Sequence, residues 1–160
     1  MNNKVKVEFK KLYNNSILPK KAHESDAGFD LHAHTVPHPD GDNNLSEGFH
    51  LQPGKRVLVK CGFGMALPVG FEAQVRPRSG LALKNGISVV NSPGTIDAGY
   101  RNEVGVILIN HGEKEFVIGR GDRIAQLVIQ KLPEVEAIEV EELSNTSERG
   151  MAGFGSSGVK

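Results

Sequence analysis

The sequence predicts an all-β domain, built as a sandwich or a barrel. Apolar residues alternate or come in short runs, and turn signals separate these runs at the spacing of about 8–12 residues typical of short strands. The chain has 19 glycines and no tryptophan among its 160 residues, which suits many turns around a core of small side chains. This length favours one domain that can bury a core of its own.

Six segments are the clearest strand candidates, because their apolar residues follow the period of two that a half-buried strand requires. These segments are 5–10, 56–61, 71–76, 104–110, 123–130 and 135–140. Glycine and proline turn signals separate them, for example Pro53-Gly54 and Gly121-Asp122. One short helix is expected over 79–86, with Ser79 as its N-cap and Gly86 at its end.

Composition excludes several classes of protein. Lys plus Arg and Asp plus Glu both number 19, so the formal net charge is zero and no basic stripe indicates a nucleic-acid polymer as partner. No stretch approaches the roughly 20 apolar residues of a membrane span, and residues 1–20 lack a signal-peptide layout. The single cysteine, Cys61, suits a reducing compartment. We expect a soluble cytoplasmic protein.

The segment RPRSGLALKNG, residues 76–86, is a candidate phosphate site. Pro77 should end the preceding strand, and Ser79 and Gly80 should open the helix, whose free N–H groups attract anions. Arg78 would add a positive charge. The alternative is a capped connector with surface arginines.

The segment NSPGTIDAGYRNE, residues 91–103, carries a candidate base. Asp97 lies between an apolar strand position and a glycine turn, so it is either a turn-capping aspartate or a general base on a rigid hairpin. Tyr100 either packs the hairpin or supports a sugar ring.

Two further segments place polar residues within strand-like runs. Gln126 lies in GRGDRIAQLVI, residues 119–129, where a buried amide needs hydrogen-bond partners. In the same segment, Arg123 is expected to be the charged neighbour of a turn. Asp30 lies in ESDAGFDLHA, residues 24–33, either on an edge strand facing water or as an outer-shell partner of a metal ion.

Three other patterns carry less weight. The calcium-loop-like DGDNN at 40–44 has leucines where the glycine and the closing glutamate belong, and we reject it. A zinc or nickel site at His32, His34 and His38 lacks further ligands. GFGSSG at 153–158 fits a dinucleotide fingerprint, but only two residues follow it, so no helix can hold a pyrophosphate.

The segments AGFDL, RPRSGLA, GTIDAGYRNE, GDRIAQL and RGMAGFGSSG occur in this order from Ala27 to Gly158. Their order and spacing closely resemble the five motifs of the homotrimeric dUTPases. The resemblance implies a jelly-roll-like β-barrel, assembled as a trimer with active sites at subunit interfaces. It also implies a dUTP diphosphatase that converts dUTP and water to dUMP and diphosphate with Mg²⁺, which keeps uracil out of DNA and supplies dUMP for dTMP synthesis.

The resemblance also assigns roles to residues. Asp97 would activate the water that attacks the α-phosphorus, and Tyr100 would lie beneath the deoxyribose and exclude a 2′-hydroxyl. Asp30 would contact Mg²⁺ through water, since the ion is held mainly by substrate phosphates. Uracil would be recognised by Asn91, Gly94, Thr95, Ile96 and Asp97. The phosphates would be bound by Arg78, Ser79, Gly80 and Gln126.

The resemblance divides the chain into a barrel domain, 1–147, and a flexible glycine-rich C-terminal lid, 148–160. Phe154 would stack on uracil and Arg149 would reach the phosphates, while Gly155, Ser156 and Ser157 would wrap the γ-phosphate. Asn102 stands where many members carry glycine, so we expect an unusual backbone angle there.

Two alternatives stay open. A dCTP deaminase shares the fold, and ammonia release from dCTP would identify it. A dUTP-sensing regulatory protein would bind the nucleotide without turnover.

Overall fold

The computed structural model describes residues 4–144, and these residues form eleven strands and one helix. In chain order the elements are β1 (Glu8–Lys11), β2 (Gly28–His32), β3 (Phe49–Leu51), β4 (Arg56–Lys60), β5 (Phe63–Ala66), β6 (Phe71–Arg76), α1 (Ser79–Asn85), β7 (Ile87–Val89), β8 (Gly94–Ile96), β9 (Gly105–Asn110), β10 (Phe116–Ile118) and β11 (Arg123–Lys131). The predicted all-β class with one short helix is confirmed.

The strands pair in four antiparallel sheets around one core. The largest has the order β2-β11-β6-β8, the next β4-β9-β7, and β1-β5 and β10-β3 form two-stranded ribbons. Buried residues alternate with partly exposed ones along β9, as a strand with one core face requires. The largest fully buried side chains include Phe63, Leu31 and Leu127, so the core lies between the sheets.

The helix ends as predicted but starts differently. Gly86 adopts φ 68° and donates its N–H to Ala82, which is the left-handed ending that glycine allows. Ser79 is not the N-cap, because the N–H of Ala82 donates to the carbonyl of Arg78 at 3.0 Å. Arg78 is therefore the capping residue, in extended conformation and without a side-chain cap bond, and Ser79 is the first helical residue.

The prediction of a strand over 135–140 is wrong, because these residues form no strand in the single chain. β11 ends at Lys131, and residues 132–140 have no ladder partner within the described part of the chain. The alternation of valine or isoleucine with glutamate has the period of a strand, but a strand also needs a neighbour that completes its backbone hydrogen bonds. Val135, Ile138 and Leu143 are 81%, 71% and 86% exposed.

The polar loop over 36–47 is anchored to the barrel. Val36 and Asn43 form an isolated antiparallel bridge, and Asp42 pairs with Lys60 at 2.7 Å. Leu45 is 2% exposed and has φ 60°. None of the helices in residues 4–144 is long and apolar enough to cross a membrane.

Candidate active site

The residues expected to bind nucleotide fall into two groups, one on and around the segment that follows β6 and the other on the hairpin that contains β8. Arg76 ends β6 and leads through Pro77 into Arg78 and the helix. The neighbouring β8 runs the other way, because Gly94 lies opposite Val75 and Ile96 opposite Ala73. The structure therefore brings the expected phosphate-binding residues together, whereas the hairpin runs along β6 from Gly94, near Arg76, to Asp97 at the other end of that strand.

The first group lines a cleft of about 270 Å³. Its walls come from the connection before β2, from β2 itself, from the start of α1 and from β11. The lining residues are Ala22, Asp26, Ala27, Gly28, Asp30, Arg78, Ser79, Gly80 and Gln126. All five of the residues expected at the triphosphate and its metal ion lie here, although 96 positions separate Asp30 from Gln126 in the chain.

Gln126 fixes the cleft by joining β11 to the loop before the helix. Its side-chain amide donates to the carbonyl of Pro77 at 2.9 Å, which is the backbone partner that a half-buried amide requires. Gly28 makes this possible, because a Cβ at that position would overlap Oε1 of Gln126. The glycine of the AGFDL segment therefore serves the glutamine of the GDRIAQL segment.

Asp30 is the centre of a charged cluster. Its Oδ1 lies 3.6 Å from Nε of Arg78 and its Oδ2 lies 3.4 Å from Nη1 of Arg123. Arg78 also donates through Nη1 to the carbonyl of Arg123 at 2.8 Å. Arg123 therefore belongs to the cluster, although its sequence context predicts only the charged neighbour of a turn.

The side chains of the cleft fit the way of holding Mg²⁺ that the resemblance implies. Within residues 4–144 no group of three or more His, Cys, Asp or Glu side chains could hold a metal ion. Asp30 is the carboxylate of the cluster and faces the cleft, so it can accept hydrogen bonds from metal-bound waters. This donor set fits an ion that keeps several waters and takes its other ligands from phosphates.

The second group lies on the hairpin that follows β7. It includes a cis Ser92–Pro93 peptide, and the side-chain nitrogen of Asn91 lies 3.2 Å from where a Cβ on Gly94 would stand. A cleft of about 170 Å³ is lined by Thr95, Ile96, Tyr100, Val104 and Gly105.

Backbone and side-chain hydrogen bonds set the shape of this hairpin. The N–H of Tyr100 donates to the carbonyl of Asp97 at 3.0 Å, and the Tyr100 hydroxyl donates to the carbonyl of Glu103 at 2.8 Å. Arg101, for which the sequence pattern predicts no role, donates Nη1 to the carbonyls of Ala98 and Tyr100 at 2.6 and 2.8 Å. These contacts hold the Tyr100 ring at the mouth of the cleft.

Asn102 needs no unusual backbone angle. Among the described non-glycine residues only Leu45 has a positive φ, so the expectation for Asn102 is wrong. The turn of the hairpin is closed earlier, between Asp97 and Tyr100. A residue with a side chain therefore fits at 102 without strain.

Asp97 and Arg78 are far apart within one chain. Asp97 follows Ile96, so the register puts it level with Glu72 at the start of β6. Arg78 lies two residues beyond Arg76, at the opposite end of that strand. The four residue-to-residue steps from 72 to 76 alone span about 13 Å at the rise of a strand. One chain therefore presents two half-sites.

The three histidines His32, His34 and His38 have separate surroundings. His34 is buried, stacks on Tyr13 with ring centroids 4.6 Å apart, and donates Nε2 to Asn15 at 3.0 Å. Burial lowers the pKa of His34, and it is also the main cause that lowers the pKa of His32. His38 lies 3.6 Å from Asp40 on the exposed loop.

The expected lid lies outside the described residues. Arg149, Phe154, Gly155, Ser156 and Ser157 are all in it, as is the boundary between 147 and 148.

Comparison with known proteins assigns this fold to a class of all-β nucleotidohydrolases. The chain belongs to the dUTPase family, whose sequence model matches residues 14–158. It is 52% identical over 155 residues to the deoxyuridine 5′-triphosphate nucleotidohydrolase of Caulobacter vibrioides, covering 96% of this chain and 94% of that protein. The Clostridium tetani protein of the same name is 49% identical over 152 residues, covering 95% and 96%.

A solved structure agrees on the fold. The dUTPase of Staphylococcus bacteriophage 80alpha, solved with dUPNHPP, superposes with a TM-score of 0.80 at 28% sequence identity, and the match covers 96% of this chain and 99% of that one. The jelly-roll-like dUTPase fold expected from the motifs is thereby confirmed.

Proposed function

We propose that this protein hydrolyses dUTP to dUMP and diphosphate. The observation that carries the proposal is the match at 52% identity, over 96% of the chain, to a deoxyuridine 5′-triphosphate nucleotidohydrolase. The contents of the two clefts support it, since one has cationic and hydrogen-bonding groups suited to a triphosphate and the other has a tyrosine ring beside the strand β8.

In the proposed reaction a water molecule attacks the α-phosphorus. Asp97 accepts the water's proton as the new P–O bond forms, and the bond from the α-phosphorus to the bridging oxygen breaks to release diphosphate. An exposed carboxylate on a turn closed by backbone hydrogen bonds can hold such a water at a fixed distance.

Arg78, Ser79, Gly80 and Gln126 are proposed to hold the triphosphate, with the Arg78 guanidinium matching the negative charge of the leaving diphosphate. Asp30 is proposed to orient the waters of a bound Mg²⁺, which would be carried in by the substrate phosphates. When bound, that ion would neutralise charge on the phosphate oxygens.

Selectivity is proposed to come from the hairpin. Asn91 and the backbone of 94–97 would hydrogen-bond the uracil edge, so that cytosine would present a donor where the site expects an acceptor. The Tyr100 ring, fixed through its hydroxyl, would lie against the deoxyribose and leave no room for a 2′-hydroxyl.

We propose a homotrimer with each active site shared between chains. The separation of the two half-sites along β6 supports this, because a second chain can bring an Asp97 hairpin to the Arg78 cleft. The exposed apolar residues of 132–143 also support assembly, since their burial against another copy would remove Val135, Ile138 and Leu143 from water.

The C-terminal segment is proposed to act as a lid that closes over the bound nucleotide, with Phe154 on the base and Arg149 at the phosphates. Ordering such a segment costs roughly 1–2 kcal/mol per residue, which only a full triphosphate would offset. We also propose a cytoplasmic location, because the only cysteine, Cys61, cannot form an internal disulfide.

Turnover of dUTP, dCTP, UTP and dTTP with Mg²⁺ tests the function, with diphosphate, monophosphate and ammonia as readouts. We expect dUMP and diphosphate from dUTP alone. Ammonia from dCTP would instead identify a deaminase, and binding of dUTP without turnover of any of the four would identify a sensor.

A further inference from the structure

Arg123 begins β11 next to the triphosphate cleft, and its guanidinium lies against Asp30. We infer that Arg123 is a positioning residue, which keeps Arg78 available to phosphate by taking a share of the Asp30 carboxylate. The inference rests on the proposed function, because it assigns a task within the proposed triphosphate site.

A break in strand register puts Arg123 on the face of the sheet that bears the site. Asp30 and His32 are two apart on β2 and share a face, and their partners on β11 are Gln126 and Arg123. Those partners are three apart, so a regular strand would point them to opposite faces. The register shift between Arg123 and Ala125 inserts the extra residue and brings the Arg123 side chain round to Asp30.

The carboxylate of Asp30 lies near two guanidinium groups, those of Arg123 and Arg78, and forms a close ion pair with neither. Asp30 lies 3.4 Å from Arg123 and 3.6 Å from Arg78, and both distances exceed the roughly 2.7–2.9 Å of a fully formed charge-assisted hydrogen bond. The Arg78 guanidinium is held more closely by the carbonyl of Arg123, at 2.8 Å. A neutral carbonyl binds a cation less strongly than a carboxylate does, so Arg78 can exchange this partner for phosphate.

Removal of the Arg123 guanidinium should therefore change Arg78. Asp30 would lose its second cation and close on Arg78 as a full ion pair. The side chains of Asp30 and Arg78 are only 19% and 29% exposed, so water would weaken that pair less than it weakens a surface pair. An incoming triphosphate would then have to compete with Asp30 for Arg78.

The test measures binding of the imido-linked dUTP analogue and of dUMP to five variants and the wild type. Arg123→Gln removes the guanidinium, and Arg123→Lys keeps a charged donor there. Asp30→Asn removes the carboxylate, and it is combined with Arg123→Gln to close a double-mutant cycle. Lys131→Gln, which joins the panel as the control, removes the same charge from the exposed far end of the same strand.

We expect Arg123→Gln to raise the Kd of the triphosphate analogue about tenfold and to leave that of dUMP within about twofold. In the Asp30→Asn background the same substitution should cost less than about threefold, because no carboxylate remains to capture Arg78. Arg123→Lys should recover part of the loss, and Lys131→Gln should bind like the wild type.

Two results would overturn the inference. Equal losses with and without Asp30 would mean that Arg123 contacts the phosphates directly, and unchanged affinity in Arg123→Gln would mean that it has no part in the site. A wild type that binds neither ligand would instead contradict the proposed function, so the two failures are distinguishable.

Discussion

At the scale of single residues, Asp97 is a carboxylate positioned by its backbone. Its carbonyl accepts the N–H of Tyr100, while its side chain is exposed and has no hydrogen-bond or ion-pair partner among residues 4–144. Asp30 differs, because it already has two cationic neighbours. A free carboxylate can take a proton from water, whereas a paired one is better suited to orienting its partners.

Asp97→Asn therefore tests the base. The amide keeps the shape of the side chain but cannot accept the proton, so we expect turnover of dUTP to fall about 10²- to 10⁴-fold. Binding of the imido-linked analogue should stay within about threefold of wild type. Asp40→Asn, an exposed aspartate on the polar loop, is the matched control. Turnover near the wild-type rate would remove Asp97 from the mechanism.

His34 gives a second prediction at this scale, for stability against pH. Its Nε2 donates to Asn15 and its Nδ1 is buried without a partner in the described part, so burial keeps the folded pKa below the ordinary value of 6.5. As the pH falls below 6.5, the unfolded chain takes up a proton that the folded protein resists. The contribution of His34 to folding free energy is therefore lost on acidification through that window.

Thermal unfolding at pH 7.5 and 5.5 measures this loss. His34→Phe keeps a ring against Tyr13 without a titrating group, so its Tm should drop less on acidification than the wild-type Tm, by about 2 °C. His38→Phe, at an exposed position, should retain the full wild-type drop. Equal drops in all three proteins would contradict a neutral His34.

At the scale of elements, strands with a long alternation of apolar and polar residues were easier to predict from the sequence than short ones. Strands such as β6 and β9 show several alternations, and they were predicted to within a residue at each end. The three-residue strands β3, β7 and β10 carry too few alternations to be recognised. The helix end at Gly86 was predictable because a left-handed residue strongly favours glycine.

The sequence does not indicate which strands pair with one another. The segment 135–140 has a strand's periodicity but no neighbour in the chain, and a sequence pattern does not say which neighbour a strand finds. Arg123 was missed for a related reason, since the register shift that turns it to the site involves β2, some 90 residues away. Gln126 was found because a polar residue within an apolar strand is visible locally.

The end of α1 gives the element-scale prediction. Gly86 has φ 68°, and a Cβ there would lie 2.5 Å from the nitrogen and 2.8 Å from Cα of Gly112. Gly54 has φ 73° with open space around it, so it separates the backbone cost from the overlap. We expect Gly86→Ala to lower the free energy of unfolding by about 2–4 kcal/mol, against about 1 kcal/mol for Gly54→Ala. Thermal unfolding at one fixed protein concentration compares them, and equal effects would exclude the overlap.

At the scale of the whole molecule, the antiparallel register of β6 and β8 decides how a site can be assembled. It fixes Asp97 and Arg78 at opposite ends of the paired strands β6 and β8, and of these two residues only Arg78 lines the triphosphate cleft. A closed trimer repeats every interface by symmetry, so a hairpin from each chain can meet a cleft of the next chain. Every complete site would then combine one chain's Asp97 with another chain's Arg78.

Mixed trimers test this arrangement directly. Asp97→Asn and Arg78→Gln should each have little activity alone, but their co-expression should restore about a quarter of the wild-type turnover, because random assembly gives each site an intact Asp97 half the time and an intact Arg78 half the time. If both residues of a site came from one chain, no mixed trimer could hold an intact site. If the mixture is no more active than the average of the two separate variants, the whole site lies within one chain. A change in the hairpin would then have to close the distance between Asp97 and Arg78 along β6.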